Sequence, residues 1–195
     1  MKCLLVVALV LPSFCVIADE RIILGSFERE TAESEGAESN ESTSRGFGAR
    51  YYDFSDEGLY LGASFAILSE DSEECFQSRC YSSDTTVTMF SAELGRDIGS
   101  WTPFIGLNFV NAAIDGDIVS TSVGSWGVDV GSWVELDNFK LRGVINNIED
   151  NVDRTVIGGI LFQMNNNFVL GAEVGMLLGS EVDGSRFSLQ FGMKF

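Results

Sequence analysis

The sequence contains no histidine. That removes the commonest general base, the usual activator of a serine or cysteine nucleophile, and the commonest metal ligand. No pair of carboxylates is singled out by spacing either, so the expectation is a non-enzymatic protein with no catalytic residues, cofactor or dedicated metal site. The cysteines offer one covalent possibility. Cys75 and Cys80 lie close together in Glu74-Cys75-Phe76-Gln77-Ser78-Arg79-Cys80, and an oxidising compartment would let them pair as a disulfide. Closing so short a loop restricts the unfolded chain by roughly 2 kcal/mol. Zinc is the rival reading, but two thiols without histidine do not complete its tetrahedral shell.

Charged residues follow two patterns. Arg50, Glu93, Asp129, Lys140, Arg142 and Glu173 each stand on the face opposite the large apolar groups of an alternating segment. Inside a narrow barrel such groups would compensate one another as a charge-paired lumen plug. The other acids gather in stretches expected to be outer loops: Glu28, Glu30, Glu33, Glu35, Glu38 and Glu41, then Glu70, Asp71, Glu73, Glu74 and Asp84, with smaller groups further on. Their bland reading is a solvated, soluble rim; the sharper one is weak Ca²⁺ or Mg²⁺ association, although no spacing forms an EF-hand loop. The net charge is −17, which excludes the basic surface that nucleic acid requires.

Positioning these residues falls to β-strands. Lys2, the apolar run Leu4–Leu11, Pro12, and the pattern Val16-Ile17-Ala18 read as a signal peptide spanning residues 1–18, cleaved after Ala18. The apolar run is shorter than the ~20 residues of a spanning helix, and the bulky Phe14 before Cys15 argues against a lipoprotein signal. Residues 19–195 then form one domain, with Cys3, Cys15 and Lys2 lost. No later window offers 18 consecutive apolar residues, so any membrane crossing must be made by strands.

The strands show as a period of two. Phe187, Leu189, Phe191, Met193 and Phe195 alternate with Ser188, Gln190, Gly192 and Lys194, which places every large apolar group on one face. The same alternation marks residues 59–67, 103–109, 139–146, 156–162 and 168–176, and weaker forms mark 20–28, 45–54, 85–96 and 119–133. These make ten strands, with eight as the alternative. The fold class is all-β: an antiparallel, up-and-down transmembrane β-barrel. Short turns near Ser55–Glu57, Asp97–Ser100, Asp137-Asn138 and Asn165–Asn167 alternate with longer acidic connections over residues 29–44 and 69–84. Tyr51, Tyr52, Tyr60, Trp101, Trp133, Phe139, Phe162, Phe168 and Phe195 lie near the short-turn end, with Phe65, Phe109, Trp126 and Phe187 toward the other, as two aromatic girdles would.

The signal segment, the repeated strands of about ten residues and the terminal alternation ending in Phe195 resemble the small outer-membrane β-barrel superfamily of Gram-negative bacteria. The resemblance covers residues 19–195 as a pattern and identifies no subfamily; ten strands depart from its commonest eight-stranded members. It implies location in the outer membrane, outer-membrane lipid as a partner, and recognition of Phe187, Leu189, Phe191, Met193 and Phe195 by the barrel-assembly machinery. Enzymes of that superfamily that modify lipids, hydrolyse phospholipids or cleave proteins rely on an active-site histidine, so none of those activities carries over. Three functions stand: a structural or surface-interaction barrel of the envelope, a narrow cation-favouring channel, and a soluble exported barrel that holds an apolar ligand. The oligomeric state is left open.

Overall fold

The computed structural model describes residues 18–34, 40–55, 58–76, 79–116, 120–150, 154–164, 167–178 and 182–195. Residues 1–17 of the expected signal segment lie outside them. Ten strands follow one another: β1 (Ala18–Ser34), β2 (Asn40–Ser55), β3 (Leu59–Phe76), β4 (Arg79–Arg96), β5 (Trp101–Gly116), β6 (Ser120–Leu136), β7 (Phe139–Asn146), β8 (Thr155–Gln163), β9 (Phe168–Leu177) and β10 (Val182–Lys194). Each pairs antiparallel with the next, and β10 returns to β1, closing an up-and-down barrel of ten strands rather than eight. The closing seam runs from Ile22↔Lys194 to Ser34↔Val182 without a register shift. Just beyond it, Arg21 and Phe195 exchange backbone hydrogen bonds of 2.8 and 3.3 Å. Closure removes the unpaired edges that an open sheet of these strands would expose.

Side-chain parity follows the pleat. Leu61, Ile67, Ile105, Leu107, Leu141, Ile160, Leu170, Leu189 and Phe191 are exposed on the outer wall, while Tyr60, Phe104, Asn108, Lys140, Arg142, Val169, Glu173 and Ser188 are buried inside. The tight turns have the backbone that their residues allow. Asp137 adopts φ 50 in the two-residue β6–β7 turn, a left-handed conformation that Asp tolerates. Gly58 at φ 77 and Gly99 at φ 82 serve the β2–β3 and β4–β5 turns, where a Cβ would be strained.

Two expectations are corrected. Residues 29–44 and 69–84 are not long loops: β1 continues to Ser34, β2 begins at Asn40, and β3 and β4 pair as far as Phe76↔Arg79. The apolar alternation ends near Ile67 because both faces of a strand are wetted once it passes the apolar belt, so the pattern vanishes while the backbone ladder continues. The second correction concerns aromatics. Tyr52, Tyr60 and Trp133 belong to no outer girdle; all three point inward and are fully or almost fully buried. Trp101, Phe139, Phe162, Phe168 and Phe195 do face outward at the short-turn end, and Phe65, Trp126 and Phe187 do so toward the other.

Candidate functional site in the barrel lumen

The lumen is filled in layers that begin at the short-turn end. Lys140 lies there, 3.1 Å from Glu135 and 3.3 Å from Glu20. Its ammonium also stands 4.4 Å from the centre of the Phe54 ring, within cation–π range. Above it is an aromatic layer. Trp133 meets Tyr52 edge-on at 5.0 Å between ring centres, and Tyr60 packs against Phe54 at 5.0 Å and Phe104 at 5.4 Å. Ile22, Leu24, Leu161 and Val169 join this buried apolar cluster, which continues along the wall to Val144 and Ile157.

The polar edge of that layer starts a continuous hydrogen-bonded chain. Trp133 Nε1 donates to the Tyr60 hydroxyl at 2.9 Å, and that hydroxyl donates to Glu93 Oε2 at 2.6 Å. Arg142 donates to Glu93 Oε1 from one nitrogen and to Glu173 Oε1, at 3.2 Å, from another. Arg50 bridges Glu173 Oε2 at 2.5 Å and Glu28 Oε1 at 3.0 Å. Glu28 also accepts from Ser26 at 2.7 Å, from Ser188 at 3.2 Å and from Arg186 at 3.4 Å. The Arg142 guanidinium lies 5.4 Å from the Phe104 ring centre and 5.6 Å from that of Trp133. Three guanidinium groups thus alternate with three carboxylates across the barrel, an arrangement in which buried charge is tolerable because each ion has partners.

Four of the six charges singled out in the sequence, Arg50, Glu93, Arg142 and Glu173, meet in this network. Lys140 and Asp129 do not join it. Lys140 lies two residues nearer the turn than Arg142 and so falls beneath the aromatic layer, while Asp129 accepts from Asn108 Nδ2 at 2.6 Å and the Asn147 backbone at 3.3 Å. Glu28 and Arg186 are members that the sequence did not reveal. Glu28 opens the acidic run that continues through Glu30 and Glu33, yet it is only 1% exposed and faces inward. Its parity is hidden because Ile22, Ile23 and Leu24 put apolar groups on both faces of β1, whereas the inward position of Ser26 was the available signal. Phe187, Leu189, Phe191 and Met193 face outward on β10, and Phe195, just past its end, is exposed as well. The backbones of Cys75 and Cys80 are direct partners in the β3–β4 register; their side chains lie outside the described residues.

Comparison of the sequence with family models and with curated proteins finds no match. Solved structures do match the fold. The attachment invasion locus protein Ail of Yersinia pestis, solved in complex with the heparin analogue sucrose octasulfate, superposes with a TM-score of 0.53 at 16% identity, covering 90% of this chain and 98% of that one. The β domain of the Bordetella autotransporter BrkA gives a TM-score of 0.51 at 11% identity, with 91% and 100% covered. The fold is that of the small outer-membrane β-barrels. In such barrels the outward apolar wall meets lipid and the short turns mark the periplasmic end; here the aromatic layer lies on the short-turn side of the charge network.

Proposed function

We propose that the chain is an exported, integral outer-membrane β-barrel with a non-enzymatic role in envelope structure or surface interaction, its lumen closed to ions. The observation that carries this reading is the division of the wall: large apolar residues on the outside, and a paired-charge network over an aromatic layer inside. A soluble carrier of apolar ligands would need the opposite division. A channel would need a wetted path, and two filled layers stand across it. Ail, named for attachment and invasion, supplies a precedent for surface interaction on this architecture.

Residues 1–18 then act as the signal peptide, Phe187 to Phe195 present the outward stripe to the assembly machinery, and Cys75 and Cys80 pair outside the membrane. Fractionation of the exported protein, with a test for heat-dependent migration on a denaturing gel, checks location and fold. Recovery in the soluble periplasmic fraction without heat-dependent migration would overturn the reading.

A further inference from the structure

The outer wall carries two adjacent cations at one end of its apolar belt. Arg29 on β1 and Arg45 on β2 are direct partners in the β1–β2 register, and both are exposed on the same face of the sheet as Phe27 and Phe47. Partners so placed have Cβ atoms about 4.5–5.5 Å apart, and like charges in that position destabilise a sheet. Among the described residues neither guanidinium has a carboxylate partner. Glu28, next to Arg29 in the chain, points into the lumen and is engaged there by Arg50 and Arg186.

The same two strands treat the other end of the belt differently. Arg21 on β1 faces Asp53 on β2, again as direct partners, and their side chains form an ion pair at 3.4 Å. Between the two rows the outward positions are Ile23, Gly25 and Phe27 on β1 and Tyr51, Ala49 and Phe47 on β2, with no charge among them. Residues 21–29 match the ~9–11 residues with which a tilted strand crosses a bilayer. The two rows therefore stand at the two interfaces, one neutralised within the protein and the other left doubly positive. In a chain of net charge −17, with acids to spare, this pairing calls for an anion supplied from outside.

We propose that Arg29 and Arg45 together hold the phosphate of a membrane lipid, in the leaflet at the end away from the short turns, with its acyl chains against the wall below. A guanidinium meets phosphate through parallel N–H donors, and two of them on neighbouring strands can share the oxygens of one phosphate. A lipid fits better than a free anion because of what lies directly beneath the pair. Leu189, Phe27, Phe47 and Ile67 follow one another across four strands in register, all exposed, Phe47 to 74%. The Phe27 and Phe47 rings meet edge-on at 5.8 Å, a ridge along which an acyl chain can lie. The inference rests on the outer-membrane reading above, which puts this face of the sheet in lipid.

Native mass spectrometry of the purified exported protein in detergent tests it, with dioleoyl phosphatidic acid as the probe, dioleoylglycerol as the same chains without phosphate, and inorganic phosphate as the anion without chains. Saturable retention of phosphatidic acid is expected at concentrations where the other two leave no adduct. The double variant Arg29→Gln, Arg45→Gln should weaken retention roughly tenfold or more, since charge-assisted hydrogen bonds are lost. Arg96→Gln, which removes an outward arginine on β4 at the short-turn end, should leave it unchanged. Heat-dependent gel migration confirms that each variant is folded, and the single variants substitute should the double one not fold. Stability supplies a second readout. In phosphatidylcholine vesicles Arg45→Gln should unfold at the same denaturant concentration as wild type or a higher one, because a like-charge pair is relieved; adding phosphatidic acid should stabilise wild type more and place it above the variant. Equal retention of dioleoylglycerol or inorganic phosphate overturns the proposal, as do undiminished retention by the folded arginine variants, an equal loss in Arg96→Gln, or a stability order that phosphatidic acid leaves unchanged. A protein that inserts into vesicles and shows the gel shift without preferring phosphatidic acid sinks this inference alone, whereas one that does not insert sinks the outer-membrane reading with it.

Discussion

Glu93 accepts from a phenol on one oxygen and a guanidinium on the other, so the aromatic layer and the arginine network meet at this carboxylate. Gly62 makes room for it: a Cβ there would stand 2.7 Å from both Glu93 Oε2 and the Tyr60 hydroxyl. An inward position is therefore not automatically a lenient one. Gly62→Ala should lower the midpoint of denaturant unfolding in lipid, and Gly62→Lys should be worse, contrary to the milder effect that a water-filled interior would give. On the outer wall, Leu61→Arg or Leu107→Arg places a charge against hydrocarbon and should cost roughly 2–4 kcal/mol near the bilayer midplane, read from the same refolding titration. Arg142→Ala would leave Glu93 and Glu173 each short of a cation, a change of the kind that costs about 3–5 kcal/mol where a buried pair is broken. Unfolding midpoints equal to wild type for both Gly62→Ala and Arg142→Ala would mean that water fills the space ascribed to the network.

β3 and β4 each contain 18 residues, whereas a tilted strand needs only about 9–11 to cross a bilayer. The surplus forms an arm beyond the apolar belt, accompanied by β5 as far as Ser83↔Gly116, and the Cys75↔Cys80 pairing lies near its tip. A disulfide there should be detected by mass spectrometry of unreduced protein as the loss of two thiol hydrogens, and its reduction should leave the heat-dependent gel shift intact because the arm contributes nothing to closure. Two free thiols in freshly purified protein would refute the pairing. The arm also marks where the sequence stops being readable. Strands inside the belt announce themselves because lipid and lumen demand opposite side chains, as in Phe168–Leu177. In the arm, the polar run around Ser72, Glu73, Ser82 and Ser83 carries no apolar alternation, and only backbone pairing defines the strand. The inward positions of Arg50, Glu93, Arg142 and Glu173 were legible from the same alternation. Their specific partners were not, because parity gives the face on which a residue stands but not its height along the barrel axis, and height separates Lys140 from Arg142.

As a whole the molecule is a tube filled across its middle. Wild-type protein in a planar bilayer should pass no resolved single-channel current, since both the aromatic layer and the ion-paired layer obstruct the lumen. Arg142→Ala, if it folds, should either destabilise the barrel or admit small currents. Freely conducting wild type whose selectivity alone changes in Arg142→Ala would show an open aqueous path.

The seam between β1 and β10 bears on the rate at which this tube can form. Neighbouring hairpins bring together residues close in the chain, but Ile22 meets Lys194 only when almost the whole polypeptide has been ordered. Contacts of such separation pay their loop entropy before returning any stability. Hairpin formation should therefore precede closure, leaving a sheet with two adhesive edges as the long-lived species on the folding route. Self-association is a hazard of that open stage, and the outward stripe of β10 is on one of the two edges that must be kept apart from other chains until the first strand arrives.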